Sequence, residues 1–486
     1  MKKIYLFLGL SLMLTSCSDN MESLNNDDKN PAVVPASTLF TSAERTLSDQ
    51  MINSNVNRNI FRLLSQQWTE TTYTDESNYD FVTRKISDNH WNELYAGVLA
   101  DLYKAKEYVT AESIPANDPA FAEKTAIKNN KLAQIDILIV YTYQVLVDTF
   151  GDVPYTQALL GGANYLPKYD KAIDIYKDLI TRLSNDVNQM DSSYAGFDSA
   201  DVMYHGDMDN WMYFANSIKL KLGVNLLASG QESTIATNAI TAAINDGLIT
   251  SNADNAKVPY MSAVPNTNPI FNDLVNSGRH DFVVTNVVVD KMLPLNDPRF
   301  LIYTNGNPDG GIVGESNSFS GSTQVGDKIQ EPDFSGTLLD AAEVEFLLAE
   351  AAERGVAAAG SAETHYNNAI LASMDDWGVS AIDAAAYLAQ PAVAYSTAAG
   401  TWQQKIGEQA WLGLYNRGFE AWTSYRRLNY PALVAPPTAD AAAEGLVPVR
   451  MQYPIREQTL NPTNYNAAAT AIGGDKLTTR LFWDAN

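Results

Sequence analysis

The sequence predicts a mostly α-helical fold of stacked helix pairs, interrupted by an irregular, loop-rich insertion that contains short strands. Apolar residues recur at helical spacing through most of the chain, as in Ala172, Ile173, Tyr176, Leu179, Ile180 and Leu183. Between residues 250 and 336 that period fades while Pro, Gly, Asn and Ser accumulate. With 486 residues, 45% of them hydrophobic, the chain can bury a large core.

The first element is not part of that core. Lys2-Lys3, the apolar run Ile4 to Leu14 and the small residues before Cys17 read as a signal peptide (residues 1–16) with a lipobox. The apolar run is about eleven residues, against roughly twenty needed to cross a bilayer. Cleavage would make Cys17, the only cysteine, the lipid-modified N-terminus, its palmitate-type acyl chains each adding about 0.8 kcal/mol per buried methylene. No thiol then remains for a disulfide, a thiolate metal site or a nucleophile. Residues 17–36 are polar and aperiodic, a flexible spacer between lipid and domain.

The domain, 37–486, divides into a helical scaffold (37–249 and 337–430), the insertion (250–336) and a Pro- and Asn-rich tail (431–486) expected to be irregular. Leu39 to Trp68 is predicted as one long helix with a break near Asn53–Asn57, followed by helices over Asp88–Glu112 and Lys124–Phe150. The last of these is apolar on most faces and so predicts a buried helix. Helices over Asp170–Met190, Trp211–Ser229 and Ser233–Asp246 follow, the last stopped by Gly247. In the insertion, Asp281–Val284 and Val287–Val289 read as strands. Helices resume at Leu338–Arg354, Glu363–Trp377, Gln403–Tyr415 and Gly418–Leu428. Pairs of this length with Ala and Tyr at contact positions resemble degenerate tetratricopeptide units, although no clean 34-residue period recurs.

Composition excludes some chemistries. A net charge of −24 repels nucleic acid phosphates, so no nucleic acid partner is expected. His90, His205, His280 and His365 lack metal-ligand spacing. Gly321 to Gly326 approaches a phosphate loop, but Asp327 would repel phosphate and Ile329 replaces the needed hydroxyl. No cofactor is implied; a structural calcium ion near Asp207 and Asp209 stays open but unsupported, since two acids fall short of the roughly six or more oxygens the ion takes. A carboxylate pair suited to glycoside hydrolysis stays open, so a glycosidase-like hydrolase on a helical scaffold is the alternative function.

Several motifs in order resemble the SusD/RagB family of outer-membrane nutrient-binding lipoproteins, in particular its second SusD-like branch. These are Gln67-Trp68-Thr69-Glu70, Asp148-Thr149-Phe150-Gly151-Asp152-Val153-Pro154-Tyr155, Trp211 to Leu220, Asp297-Pro298-Arg299-Phe300, Glu343 to Ala351, Gly418-Phe419-Glu420-Ala421-Trp422, Tyr453-Pro454 and Asn461-Pro462. Physically most of these are scaffold: Gly151 permits a left-handed helix exit and Pro154 prevents resumption. The resemblance implies a non-catalytic, lipid-anchored protein on the cell-surface side of the outer membrane. It implies capture of oligomeric nutrients, chiefly oligosaccharides, and their delivery to a SusC-like TonB-dependent transporter.

Aromatic rings on loops suit a sugar's apolar C–H face, with polar groups at the rim. The loop after the first helix offers Trp68, Tyr73, Asp75, Tyr79 and Phe81, with Glu76, Asn78 and Arg84 nearby. The insertion offers Arg279, Asp281 and Phe282, with His280 and Phe319 in the same stretch. These loop rings are read as candidate surface contacts to a ligand, with packing or contact to a partner as the alternative.

Overall fold

The computed structural model describes residues 34–485, so Cys17 and the predicted signal peptide lie outside the described residues. Helix α1 (Ala36–Ile52) ends where the side-chain carbonyls of Asn53 and Asn55 accept from the amides of Asn55 and Asn57, at 3.1 and 3.0 Å. The predicted helix to Trp68 therefore stops at Ile52. A helical turn at Phe61–Leu64 and strand β1 (Trp68–Glu70) take its place.

Helices α2 (Ile86–Asn92) and α3 (Ala100–Ala111) are joined by a π-helical stretch, Glu93–Leu99. Helix α4 (Phe121–Phe150) is buried on every face from Ala133 onward, as its apolar run predicts, and exits through Gly151 at φ 88°. Strands β2 (Val153–Pro154) and β3 (Tyr169–Asp170) pair antiparallel before α5 (Ala172–Gln189), α6 (Met208–Ala228) and α7 (Ser233–Asp246).

In the insertion β4 (Ala256–Val258) is followed by β5 (Phe282–Val284), where a strand is expected. Val287–Val289 is not a strand but lies in α8 (Asn286–Met292). Thr285 caps that helix, its Oγ1 accepting from the Val288 amide at 3.3 Å, and burial of Val288 and Val289 outweighs their β propensity. Strand β6 (Gly336–Leu339) takes the two leucines predicted to open the next helix; Asp340 Oδ1 accepts from the Glu343 amide at 2.8 Å and starts α9 (Ala341–Glu353) one residue later. Then come α10 (Ala362–Trp377), the unpredicted α11 (Ala381–Leu388), α12 (Trp402–Gly413) and α13 (Gly418–Leu428). The tail is not irregular throughout: it folds α14 (Ile455–Leu460) and α15 (Pro462–Ala471), the latter with Pro462 in its first turn, where the missing amide costs nothing.

Consecutive helices stack: α3 on α4, α4 on α5, α5 on α6, α6 on α7, and later α9 on α10 and α12 on α13, with α9 against α6 joining the halves. The fold is thus the expected stack of helix pairs. What locks it is a lattice of buried ionic and polar groups, in which the motifs supply Asp148, Glu343, Glu350 and Glu420. Lys221 on α6 reaches Glu343 on α9 at 2.9 Å and Glu420 on α13 at 3.4 Å, all within 6% exposure. Arg417 adds bonds to Asp340 at 2.9 Å and Glu343 at 2.5 Å. Burial works against charge on Glu343, yet Lys221 and Arg417 hold its carboxyl below the usual range; burial raises that of Glu420. A second node is Asp148, which accepts from Trp483 Nε1 at 2.8 Å, from Asn225 at 3.4 Å, and from Tyr176 and Gln144. Arg427 joins Glu350 at 2.8 Å to Asn225 at 2.9 Å.

Removing one member of such a network leaves the others charged and buried. Lys221→Met is expected to lower stability by about 3–5 kcal/mol. Urea unfolding of the variant checks this, and a loss within about 0.5 kcal/mol of zero would contradict it.

Candidate functional site

The β1–β5 ribbon brings the two candidate loops together. Its antiparallel register pairs Trp68 with Val284, Thr69 with Val283 and Glu70 with Phe282. Beyond the ribbon the Thr71 amide donates to Asp281 O at 2.8 Å and Thr71 Oγ1 to His280 O at 2.7 Å. From the other side Asn317 Nδ2 donates to Glu70 O at 3.0 Å.

The result is a trough of two adjoining cavities with a shared wall. One, of about 250 Å³, is lined by Asn55, Asn57, Glu70, Tyr73, Arg84, Asp273, Arg279, Asp281 and Phe282. The other, of about 350 Å³, shares Arg279, Asp281 and Phe282 and adds His280, Phe319, Gln324, Asp327 and Gln330. Arg279 Nε and Asp281 Oδ2 pair at 2.6 Å on the divide, 63% and 32% exposed. His280 and Phe319 stack with centroids 4.1 Å apart and planes 19° apart. At the opposite end Tyr73 adopts φ 56° and stands 74% exposed. The trough therefore offers aromatic faces at both ends and amides and ions between them.

Three acids of the trough, Asp281, Asp273 and Glu70, are engaged. Asp281 is paired with Arg279, and Asp273 Oδ2 accepts from Ser54 Oγ at 3.0 Å. Glu70 Oε2 accepts from the Ser77 amide at 2.9 Å, and its carboxyl is hydrogen-bonded to that of Glu76.

Of the predicted ring contacts only Tyr73 is presented openly. Trp68 is 1% exposed, its Nε1 donating to Tyr415 OH at 3.0 Å beneath the Arg62 guanidinium, 4.9 Å from the ring. Tyr79 is 1% exposed, and its hydroxyl accepts from Gln66 Nε2 at 3.0 Å. Phe81 is also core. The expectation of surface rings at Trp68, Tyr79 and Phe81 is corrected: each faces inward because the segment folds back onto β1. Phe282 is mostly buried against Trp68, centroids 5.9 Å apart, and shows only an edge to the trough. Asp75 is exposed but lines neither cavity. Asp207 is a helix cap, its Oδ1 accepting from the Asn210 amide at 3.1 Å.

Sequence reasoning passed over Asn55, Asn57, Asp273, Gln324 and Gln330. The asparagine-rich run that ends α1 is the one signal that could have found the first two. No helix among the described residues is long and apolar enough to cross a membrane.

A helical scaffold thus carries the trough on its loops. The chain belongs to the SusD-like_2 family, described as starch-binding and associating with the outer membrane, which matches residues 28–454. A search of curated protein sequences finds no match. Among solved structures, the chain is similar to a Bacteroidetes AC2a SusD-like protein (24% identity, TM-score 0.77, covering 93% of this chain and 100% of that one). It is also similar to a SusD homologue from Bacteroides thetaiotaomicron VPI-5482 (20%, TM-score 0.76, 93% and 99%). A third is a chitin-binding SusD homologue from Flavobacterium johnsoniae (23%, TM-score 0.74, 93% and 98%).

Because Trp68 is packed, Trp68→Ala is expected to act as a core deletion, costing about 3–5 kcal/mol. Thermal unfolding checks this; an unchanged Tm would return Trp68 to the surface.

Proposed function

We propose that this chain is a non-catalytic, lipid-anchored binding protein that captures oligosaccharides in the trough and passes them to a SusC-like TonB-dependent transporter. The observation that carries the reading is the divided trough, with Tyr73 at one end and the Phe319–His280 stack at the other. Rings of this kind lie against the apolar face of a sugar, while Asn57, Gln324, Arg279 and Asp281 meet its hydroxyls. Family membership supports a glycan as ligand, and so does the chitin-binding homologue of like fold.

Binding without turnover is favoured over the glycosidase reading because Glu70, Asp273 and Asp281 are committed to other partners. Glu70 and Glu76 are in direct contact, leaving no gap for a water or an anomeric carbon between them, which hydrolysis needs at about 5–10 Å separation. Anchoring through Cys17 accounts for association with the outer membrane without a spanning helix.

Calorimetry against chitooligosaccharides and starch oligosaccharides, with product analysis of the same mixtures, tests the reading. Binding with no new reducing ends is expected; their appearance would overturn it. Tyr73→Ala is expected to weaken binding by about tenfold, about 1.4 kcal/mol, with Tm unchanged. Unaltered affinity in that variant would remove Tyr73 from the site.

A further inference from the structure

Between β1 and Phe81 the chain makes an excursion whose tip is Tyr73. Its two ends are tied together by a reciprocal pair of bonds: the Glu70 amide donates to Ser77 Oγ at 3.1 Å, and the Ser77 amide donates to Glu70 Oε2 at 2.9 Å. Behind this clasp the Glu76 side chain is wholly buried and Glu70 is 3% exposed. The Glu76 carboxylate meets Arg84 Nε on one side and the Glu70 carboxyl on the other. Burial, and then the neighbouring Glu76, work against charge on Glu70, which therefore keeps its proton. Glu70 also forms part of the trough wall, where Arg84, Asp273, Arg279 and Asp281 are the other ionisable groups facing the cavity beside Tyr73.

We propose that Glu70, clasped in its neutral form to Ser77, and Glu76, paired with Arg84, are positioning residues that hold the Tyr73 loop in its ligand-binding place. The proposal rests on the reading of the trough as the ligand site and adds a means by which that site is kept formed. The ring of Tyr73 has few other restraints: it is exposed and its backbone is in the left-handed region. With the proton in place the clasp is neutral apart from the Glu76–Arg84 pair. Without it, like charges meet behind the clasp, and separating them moves residues 72–77 away from β1.

The direction of the pH effect follows. Burial, and then the hydrogen bond to Glu76, push the Glu70 carboxyl up to about 9. In the unfolded chain a Glu titrates near about 4.3. The folded chain thus holds a proton that the unfolded chain has released. The clasp's contribution is complete below the unfolded value and is lost as pH rises through the folded one.

Hydrogen–deuterium exchange of the whole chain, corrected for intrinsic rates and run between about pH 6 and about pH 10, reads the loop without any ligand. Protection of residues 72–79 is expected to fall by about tenfold across that range in the wild type, and to stay level in Glu70→Gln, whose amide supplies the missing hydrogen permanently. Glu76→Gln serves as the second variant should Glu70→Gln fold poorly; it also removes the like charge and is expected to stay level. Loop protection independent of pH in the wild type, or an equal fall in both Gln variants, would overturn the proposal. Chitohexaose titration over the same pH range separates the two readings. Affinity that follows loop protection supports both; a loop that opens while affinity holds leaves the clasp standing and moves the ligand elsewhere.

Discussion

The architecture depends on buried charge that is neutralised across helices distant in sequence. A stack of helix pairs with Ala-rich contacts could slide, because apolar faces are forgiving about register. Lys221 between Glu343 and Glu420, and Arg427 between Glu350 and Asn225, do not forgive. Each such group has one place where its desolvation is offset, so α6, α9 and α13 meet in one arrangement. The motifs that make the family recognisable supply acids of this network: Asp148 at the end of α4, Glu343 and Glu350 on α9, Glu420 on α13. They mark mostly the frame, although Glu70 also lines the trough.

The trough is built by a different device. A three-residue ribbon and a handful of backbone bonds bring the loop after β1 against the insertion. Side chains within the ribbon, such as Trp68 and Val284, are core, and those just beyond it, such as Tyr73 and Arg279, face solvent. The open part of the trough therefore begins where the strand pairing ends. That division lets the loops vary in composition without disturbing the frame.

Long periodic helices were legible from the sequence because their apolar spacing agrees with their burial, as in α5, α7 and α13. Short elements were not. Val287–Val289 carries strand propensity but sits behind a threonine cap, and Trp68 extends an apparently helical run although three asparagines end the helix first. For the site, both contributing regions could be named, but which ring faces out depends on where the chain turns back. Tyr73 and Tyr79 are six residues apart in one polar segment and end up on opposite sides of the surface. Aromatic content alone cannot separate them; the separation comes from the Ser77 clasp and from the core that receives Tyr79.

The bond between Thr71 and His280 joins residues 209 apart. Closing so long an intervening chain costs entropy that one hydrogen bond does not repay, so the bond persists only while the scaffold holds its two ends together. A fragment ending before β5 would therefore carry helices without a mouth. An intact trough is in turn a report that both halves of the molecule stand in register.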